Sequence, residues 1–362
     1  MGKKVVVGMS GGVDSSVAAY LLKEQGYEVI GVTMQIWQSE TQCEVEKKGG
    51  CCGISAVEDA RRVAEVLDIP YYVMNFRAEF KRDVIDYFVR EYRLGRTPNP
   101  CIACNRYVKW EALLTRSLML GADYIATGHY ARVLTLENGR YALASSKTAA
   151  KDQSYALYNL TQRQLAHTLM PIGEYEKPEV RAIAAAAGLP VAAKPDSQEI
   201  CFVPDGDYAH FIDESTGERA LPGNFVRADG TVLGEHKGLT HYTVGQRKGL
   251  GIAFGEPMYV IELRPEQNEV VLGTGDEVYA EELLAGDVNW MAVAPPPAGE
   301  TLCCRAKIRY NHGGAACRVT VLPDGKIRVV FPTPQRAVTP GQAVVLYTDS
   351  GAVLGGGTIE AE

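Results

Sequence analysis

The stretch Gly8-Met9-Ser10-Gly11-Gly12-Val13-Asp14-Ser15 lies between an apolar run and a helical pattern. Val5 to Val7 precede it with the composition of a buried strand, and the apolar residues from Val13 to Leu22 recur at helical spacing. A strand, a tight turn and a helix therefore follow one another directly. The glycines let the backbone approach a ligand closely, and the unpaired N–H groups of the first helical turn favour an anion. The stretch predicts a phosphate-binding loop.

This loop differs from the two commonest phosphate-binding sequences. It matches neither the G-x-G-x-x-G of dinucleotide folds nor the G-x-x-x-x-G-K-[ST] of P-loop proteins. Because Asp14 would repel a bare phosphate, we expect it beside a bound cation such as Mg²⁺ or as a helix cap. For the glycines alone, an ordinary strand-to-helix turn is the alternative. The octet as a whole resembles the SGGxDS loop of ATP-pyrophosphatases, which adenylate a carbonyl oxygen and release pyrophosphate.

Length and composition describe an ordinary globular protein. The chain has 362 residues, of which 46% are hydrophobic and 22% are charged, so it can form two or three domains with cores of their own. It has no long apolar run, and Lys3 and Lys4 lead directly into a strand pattern, so we expect no signal peptide, no membrane span and a cytoplasmic location. Nine cysteines without a secretion signal favour reduced, metal-binding or catalytic thiols.

Charge is unevenly distributed along the chain. The formal net charge of −7 argues against indiscriminate binding of nucleic acid. Between Thr301 and Pro340, however, seven basic residues face one acid, Asp324. A basic segment on an acidic chain is typical of selective contact with a phosphate backbone, and outward positions of a strand-rich domain are the alternative. The basic residues are Arg305, Lys307, Arg309, Arg318, Lys326, Arg328 and Arg336.

The order of patterns predicts an α/β domain followed by β-rich ones. Strand and helix patterns alternate up to Asp205, which favours a parallel sheet, and short strands with turn signals follow. Met34, Gly128 and His129 close strand patterns, at the positions where open α/β sheets bind ligands. A core methionine and a structural histidine are the alternatives for Met34 and His129. We place the domains at residues 1–205, 206–275 and 276–362.

Cys101 and Cys104 lie in a proline-rich approach to a helical pattern that begins at Tyr107. Pro98 and Pro100 restrict this approach to extended or turn geometry, so both thiols are expected at a loop-to-helix junction. The helix dipole and nearby basic side chains favour a thiolate there. A reactive cysteine is one interpretation. Half a metal site, a thioredoxin-like redox pair and two buried hydrophobic residues are the others.

The remaining cysteines of interest fall into two groups. Cys201 lies beside a short apolar strand signal that ends at Val203. Cys43, Cys51 and Cys52 lie in a stretch without a consistent period, which predicts a loop. We favour a structural or incidental role for the adjacent pair Cys51 and Cys52 over a metal site, because no second C-x-x-C pair accompanies them.

Six stretches, in this order, resemble the bacterial tRNA-specific 2-thiouridylase family along nearly the whole chain. The resemblance implies an N-terminal ATP-pyrophosphatase domain, a small, mostly-β central domain and a C-terminal β-barrel. It also implies ATP-dependent 2-thiolation of the wobble uridine of tRNA, through an adenylated uridine and a cysteine persulfide. The stretches are SGGVDS (10–15), TPNPCIACN (97–105), ATGHYAR (126–132), KDQSY (151–155), DSQEICFVP (196–204) and YTVGQRKGLGI (242–252).

The same resemblance implies site residues, cofactors and partners. Cys104 corresponds to the family's nucleophile and Cys201 to its persulfide-bearing cysteine. Gly8 to Ser15, Met34 and Gly128 correspond to ATP contacts, with Mg²⁺ on the phosphates. The partners implied are tRNAs that accept Lys, Glu and Gln, and a cysteine desulfurase or sulfur-relay protein. The positions that correspond to tRNA contacts are Asn99, Pro100, Cys101, His129, Lys151, Asp152, Gln153, Arg309, Tyr310 and Gln342.

Cys101 departs from the family pattern, because many members carry Asp at this position. A thiol cannot replace an Asp in proton transfer without a very different pKa. Either the proton is transferred elsewhere, or Cys101, Cys104 and Cys201 form a three-thiolate site that would suit a [4Fe–4S] cluster. We rank the cluster below the persulfide route, since three neighbouring thiols also suit exchange chemistry.

Two other functions compete with thiolation. A tRNA-binding or sulfur-carrier scaffold without catalysis is one, and the intact SGGVDS loop argues against it. A ligase of the argininosuccinate-synthase or amidotransferase type is the other. The pairing of Cys104 with Cys201 and the basic C-terminal segment argue against that ligase.

Overall fold

The computed structural model describes residues 2–36, 54–196, 200–252 and 255–361. The chain forms two compact units. The first comprises Met1–Ile85, Cys101–Gly206 and Ser350–Leu354, and the second comprises Asp86–Pro100, Asp207–Asp349 and Gly355–Glu362.

The described strands are β1 Lys4–Gly8, β2 Glu28–Gln35, β3 Tyr71–Asn75, β4 Tyr124–Thr127, β5 Ala131–Thr135, β6 Tyr141–Ser145, β7 Thr168–Leu169, β8 Gly223–Val226, β9 Val232–His236, β10 Tyr259–Arg264, β11 Glu269–Gly273, β12 Tyr279–Trp290, β13 Thr301–Lys307, β14 Ala315–Val321, β15 Ile327–Arg336, β16 Ala343–Tyr347 and β17 Val353–Ile359. The described α-helices are α1 Val13–Glu24, α2 Ile54–Val66, α3 Arg77–Phe80, α4 Asp86–Arg93, α5 Pro100–Ala103, α6 Leu114–Met119, α7 Gln162–Ala166, α8 Lys177–Ala186 and α9 Tyr208–Thr216. Two π-helical segments complete longer helices: π1 Lys81–Ile85 and π2 Cys104–Leu113.

The first unit is built on a parallel sheet of five strands in the order β3-β2-β1-β4-β7. Its central strand β1 buries Val5 and Val7 completely, as its continuous apolar sequence predicts. Helix α1 buries Val13 and Val17 in the same core. Helix α8 also packs there through Val180, and its start is fixed by a reciprocal capping box. This packing brings the N-terminal end of α8 to the carboxyl edge of the sheet.

The second unit contains a mixed sheet of four strands in the order β10-β11-β8-β9 and a closed barrel in the order β12-β15-β14-β13-β16-β17. Buried and exposed residues alternate along β14 and along the first half of β15, because successive side chains of a strand point to opposite faces. Cys304 and Cys317 face each other inside the barrel with 3.6 Å between their Sγ atoms.

The predicted fold class is confirmed: a parallel-sheet domain, a mostly-β middle and a C-terminal barrel. The start of one helix is corrected. The sequence pattern predicts it from Tyr107, whereas the structure begins it at Pro100, where the fixed φ of proline suits a first helical residue. Cys101 is therefore in the first turn, and Cys104 begins π2. Within the described residues, no helix is long and apolar enough to cross a membrane.

Candidate active site

The predicted loop connects β1 to α1 and has the geometry of an anion site. Gly11 has φ of +69°, and a Cβ there would lie 2.3 Å from the Ala56 carbonyl oxygen, so only glycine fits. The Ser15 hydroxyl accepts a hydrogen bond from the Ser10 backbone N–H at 3.1 Å, which holds the two arms of the turn together. From outside the motif, Lys194 Nζ donates to the Gly11 carbonyl at 3.0 Å. The loop shape is thus fixed before any ligand arrives.

Asp14 lies in the first turn of α1 and is neutralised by a lysine. Lys177 Nζ is 2.7 Å and 2.8 Å from its two carboxylate oxygens, and the Tyr130 hydroxyl donates to Oδ1 at 2.8 Å. Burial and then the Asp14 carboxylate raise the pKa of Tyr130, so Tyr130 remains a donor. The expectation that Asp14 caps the helix is wrong, because Gly12 is the N-cap residue and no side chain caps α1.

Lys177 also joins Asp14 to a second carboxylate. Its Nζ is 2.7 Å from Asp196 Oδ1, and Asp196 further accepts Lys151 at 3.0 Å and Arg181 at 3.1 Å. Burial opposes ionisation of Asp196, but hydrogen bonds from Lys177 and Lys151 outweigh it and lower its pKa. Two carboxylates therefore share three cations. These ion pairs connect the loop to Lys151, which with Asp152 and Gln153 is one of three consecutive positions predicted to contact tRNA.

The end of β4 lies against the loop. A Cβ on Gly128 would be 2.5 Å from the Ser15 nitrogen, so the two backbones touch there. His129 follows, with Nδ1 2.7 Å from Thr127 Oγ1. Met34, near the end of β2, is half-buried. Of the predicted strand ends, Gly128 after β4 therefore touches the loop. Met34 lies on β2, which is the neighbour of β1 on its other side.

The thiol-bearing helix belongs to the same unit. Cys101 is exposed, whereas Cys104 and Cys201 are half-buried. Asn105, next to Cys104, is buried and donates from Nδ2 to the Ala156 carbonyl at 2.9 Å. Lys109, four residues after Asn105 in π2, donates to Asn105 Oδ1 at 2.8 Å. These contacts fix the helix face that starts at Cys104.

The geometry gives no support to the iron–sulfur interpretation. Among the described residues, which include Cys101, Cys104 and Cys201, no three His, Cys, Asp or Glu side chains are arranged to hold a metal ion. Asp14, the predicted Mg²⁺ neighbour, has Lys177 on both oxygens. Cys43, Cys51 and Cys52 lie outside the described residues.

The remaining predicted tRNA contacts occupy the second unit or the Lys151 turn. Gln342 Nε2 donates to the Thr97 carbonyl at 2.7 Å, two residues before Asn99. Arg309 is half-buried and donates to the Arg336 carbonyl at 2.9 Å, while Tyr310 is exposed. In the first unit, Asp152 and Gln153 accept hydrogen bonds from Ser154 Oγ and from the Tyr130 backbone N–H. Pro100 is buried and Asn99 half-buried.

Sequence reasoning missed Lys177, Lys194 and Tyr130. None of the three lies in the loop motif, and no local pattern marks a lysine that will reach a carboxylate 163 residues away. The packing of α8 and of the segment that follows it places Lys177 and Lys194 there, whereas Tyr130 follows His129 after the end of β4. The one available signal concerned Tyr130, which lies in the stretch ATGHYAR (126–132).

Three family models match the chain. The model described as "tRNA methyl transferase HUP domain" matches residues 3–205, "tRNA methyl transferase PRC-barrel domain" matches residues 209–274, and "Aminomethyltransferase beta-barrel domain" matches residues 280–359. Similarity to solved structures is low. An NMN synthetase from Francisella tularensis covers 60% of this chain and 79% of its own, with a TM-score of 0.35 and 16% identity.

Curated relatives match over nearly the full length. The chain is 68% identical over 357 residues to a "tRNA-specific 2-thiouridylase MnmA" from Lachnoclostridium phytofermentans, and 99% of each chain is covered. It is 58% identical over 359 residues to the protein of the same name from Acetivibrio thermocellus, again with 99% of each covered.

Proposed function

The chain belongs to the tRNA-specific 2-thiouridylase family, and we propose that it catalyses ATP-dependent 2-thiolation of the wobble uridine of tRNA. One observation carries the proposal. The loop touches Gly128, His129 follows Gly128, and His129 meets Lys109 of the helix that begins with Cys104. A nucleotide loop and a thiol helix thus converge on one strand end, which suits activation by ATP followed by sulfur transfer.

The loop would bind the phosphates of ATP. Its glycine-rich backbone and the N-terminal end of α1 supply N–H donors, and Lys177 and Lys194 supply positive charge. Bound Mg²⁺ would neutralise charge on the phosphates. Because Lys177 already contacts both oxygens of Asp14, the phosphates of ATP and water would supply the other ligands of that ion.

Activation comes first in the proposed reaction. The uridine O2 attacks the α-phosphate of ATP, forming an O–P bond and breaking the bond to pyrophosphate, which leaves. C2 then carries an adenylate in place of a poor oxygen leaving group. The fixed cations near the loop stabilise the negative charge that develops on the phosphate.

Sulfur transfer follows. The terminal sulfur of a persulfide on Cys201 attacks C2, and AMP leaves with the original oxygen. The Cys104 thiolate then attacks Cys201 Sγ, which breaks the S–S bond, leaves sulfur on C2 and produces a Cys104–Cys201 disulfide. A thiol reductant has to reopen that disulfide, and a cysteine desulfurase or relay protein has to reload Cys201. No step of this route needs a [4Fe–4S] cluster.

Both units contribute residues to tRNA binding in this proposal. Lys151, Asp152, Gln153, His129 and Cys101 belong to the first unit. Asn99, Pro100, Arg309, Tyr310 and Gln342 belong to the second. Lys151 would exchange Asp196 for a phosphate of the tRNA. Acceptor tRNAs for Lys, Glu and Gln are the expected substrates, and the cytoplasm is the expected location.

Mass analysis of tRNA nucleosides tests the proposal directly. Incubation of unmodified tRNA with the protein, ATP and a persulfide source should produce 2-thiouridine. Cys104→Ser and Cys201→Ser should each abolish the product and leave ATP binding nearly unchanged. Cys303→Ser is the matched control, since Cys303 is an exposed thiol on barrel strand β13. Thiolation at the parental rate by either active-site variant would disprove the role of that cysteine.

A further inference from the structure

Lys109 carries an ammonium group that contacts only neutral side chains within the part of the chain that the structure describes. Its Nζ donates to Asn105 Oδ1 at 2.8 Å and lies 3.4 Å from His129 Nε2. Among the described residues, no carboxylate lies within ion-pair distance of it. The side chain is half-buried, so water screens it only in part.

Neither partner can neutralise this charge. Asn105 is an amide. The surrounding protein disfavours the charged form of His129 and Lys109 adds repulsion, so the pKa of His129 is well below its ordinary value and the ring is neutral. A partly buried cation that faces only neutral acceptors is costly. An anionic group of the substrate would therefore stabilise the Lys109 ammonium more than either of these neutral neighbours does.

The position of Lys109 indicates which anion would bind to it. His129 follows Gly128, whose backbone touches the loop at Asp14 and Ser15. Asn105 follows Cys104. The ammonium is therefore linked by one contact to the strand end that touches the nucleotide loop, and by another to the residue that adjoins the nucleophile.

We propose that Lys109 binds a phosphate group during the reaction, an inference that rests on the proposed function. The nucleotide is the expected source. The α-phosphate is the one that has to pass from pyrophosphate to the uridine and then leave as AMP, between the loop and the thiols. An ammonium fixed by Asn105 and His129 would stabilise the charge on that phosphate without reorganising. A phosphate of the tRNA backbone offers the same chemistry and is the second source to test.

Lys109→Gln removes the charge and keeps a side chain that can hydrogen-bond to Asn105. We expect it to weaken equilibrium binding of ATP and of AMP equally, by about tenfold, because a charge-assisted hydrogen bond to the shared α-phosphate is lost. Lys109→Arg should retain part of the affinity. Lys147→Gln is the matched control: it is a lysine of the same unit, 3.2 Å from Glu179 and exposed. If Lys109→Gln does not fold, Lys109→Arg replaces it in the test. A partial loss of AMP affinity would then support the phosphate contact, and an unchanged AMP affinity would count against it.

A second arm titrates tRNA at several salt concentrations without ATP. A loss confined to this arm, with the slope of log affinity against log salt reduced by about one unit, would assign the phosphate to the RNA and retain the phosphate site. Unchanged affinity in both arms would overturn the inference. Failure of the proposed function would look different, because the parental protein would then bind both ligands and produce no 2-thiouridine.

Discussion

The cations beside the nucleotide loop and those on the outer face of the barrel are held in opposite ways. At the nucleotide loop, Lys177 is 14% exposed and bridges Asp14 and Asp196 at hydrogen-bonding distance. On the barrel, Arg305, Arg318 and Arg328 occupy outward positions that alternate with buried residues. A fixed, paired cation acts at one place, whereas an exposed one contributes to a field that salt screens. Substitutions at the nucleotide loop should therefore cause a large loss of ATP binding or activation, whereas those on the barrel should each lower tRNA affinity by a small amount.

Gly11→Ala should have the largest effect. A Cβ would collide with the Ala56 backbone at 2.3 Å, so the loop has to move. We expect ATP binding to become undetectable in equilibrium titrations, with a lower midpoint of thermal unfolding.

Gly26→Ala is the control for that variant. Gly26 also has positive φ, +84°, but a Cβ there would meet nothing within 4 Å. It should cost about 1 kcal/mol in stability from the left-handed backbone alone and should leave ATP affinity unchanged. Equal ATP affinities for the two variants would refute the idea that loop shape is fixed by this contact.

Asp14→Asn should come next. Asn keeps one acceptor oxygen, so Lys177 loses its ion pair with residue 14 and one of the two hydrogen bonds there, and its only remaining carboxylate partner among the described residues is Asp196. We expect the ATP–pyrophosphate exchange rate to fall by about 100-fold. Persulfide loading on Cys201 should be unaffected, and Glu174→Gln, an exposed acid of the same unit, should change neither. A parental exchange rate in Asp14→Asn would remove Asp14 from the mechanism.

Part of the loop site could be predicted from the sequence, and part of it could not. The strand, the turn and α1 were predictable, because apolar period and glycine placement are local signals. The partner of Asp14 was not, because Lys177 arrives through the packing of α8, 163 residues along the chain. π2 was missed as well. Its backbone departs from the usual helix without a distinctive sequence, so the pattern from Tyr107 predicted a helix but not its type or its start.

Asp196→Asn should have a smaller effect, visible in stability. Because cationic partners lower the pKa of Asp196 in the folded state, its stabilisation is fully present above the ordinary pKa of Asp and is lost as pH falls through the lower, folded-state pKa. We expect the variant to lose at most about 1 kcal/mol of unfolding free energy near pH 7. The difference from the parental protein should vanish in strongly acidic solution. Urea titrations at both pH values measure it, and a difference independent of pH would mean that packing, not charge, is responsible.

Arg309→Ala should have the smallest effect and bears on the barrel side of the comparison. If Arg309 neutralises a tRNA phosphate, its removal should weaken tRNA binding several-fold and lower the magnitude of the salt slope by somewhat under one unit. ATP binding should not change, since the loop lies in the other unit. Arg309 also donates to the Arg336 carbonyl at 2.9 Å, so a purely structural role predicts lower stability with an unchanged slope. Arg318→Ala, an exposed arginine with no role in the resemblance, is the control for general field effects. If both variants flatten the slope equally, tRNA recognises the charge of the barrel face as a whole and not Arg309 in particular.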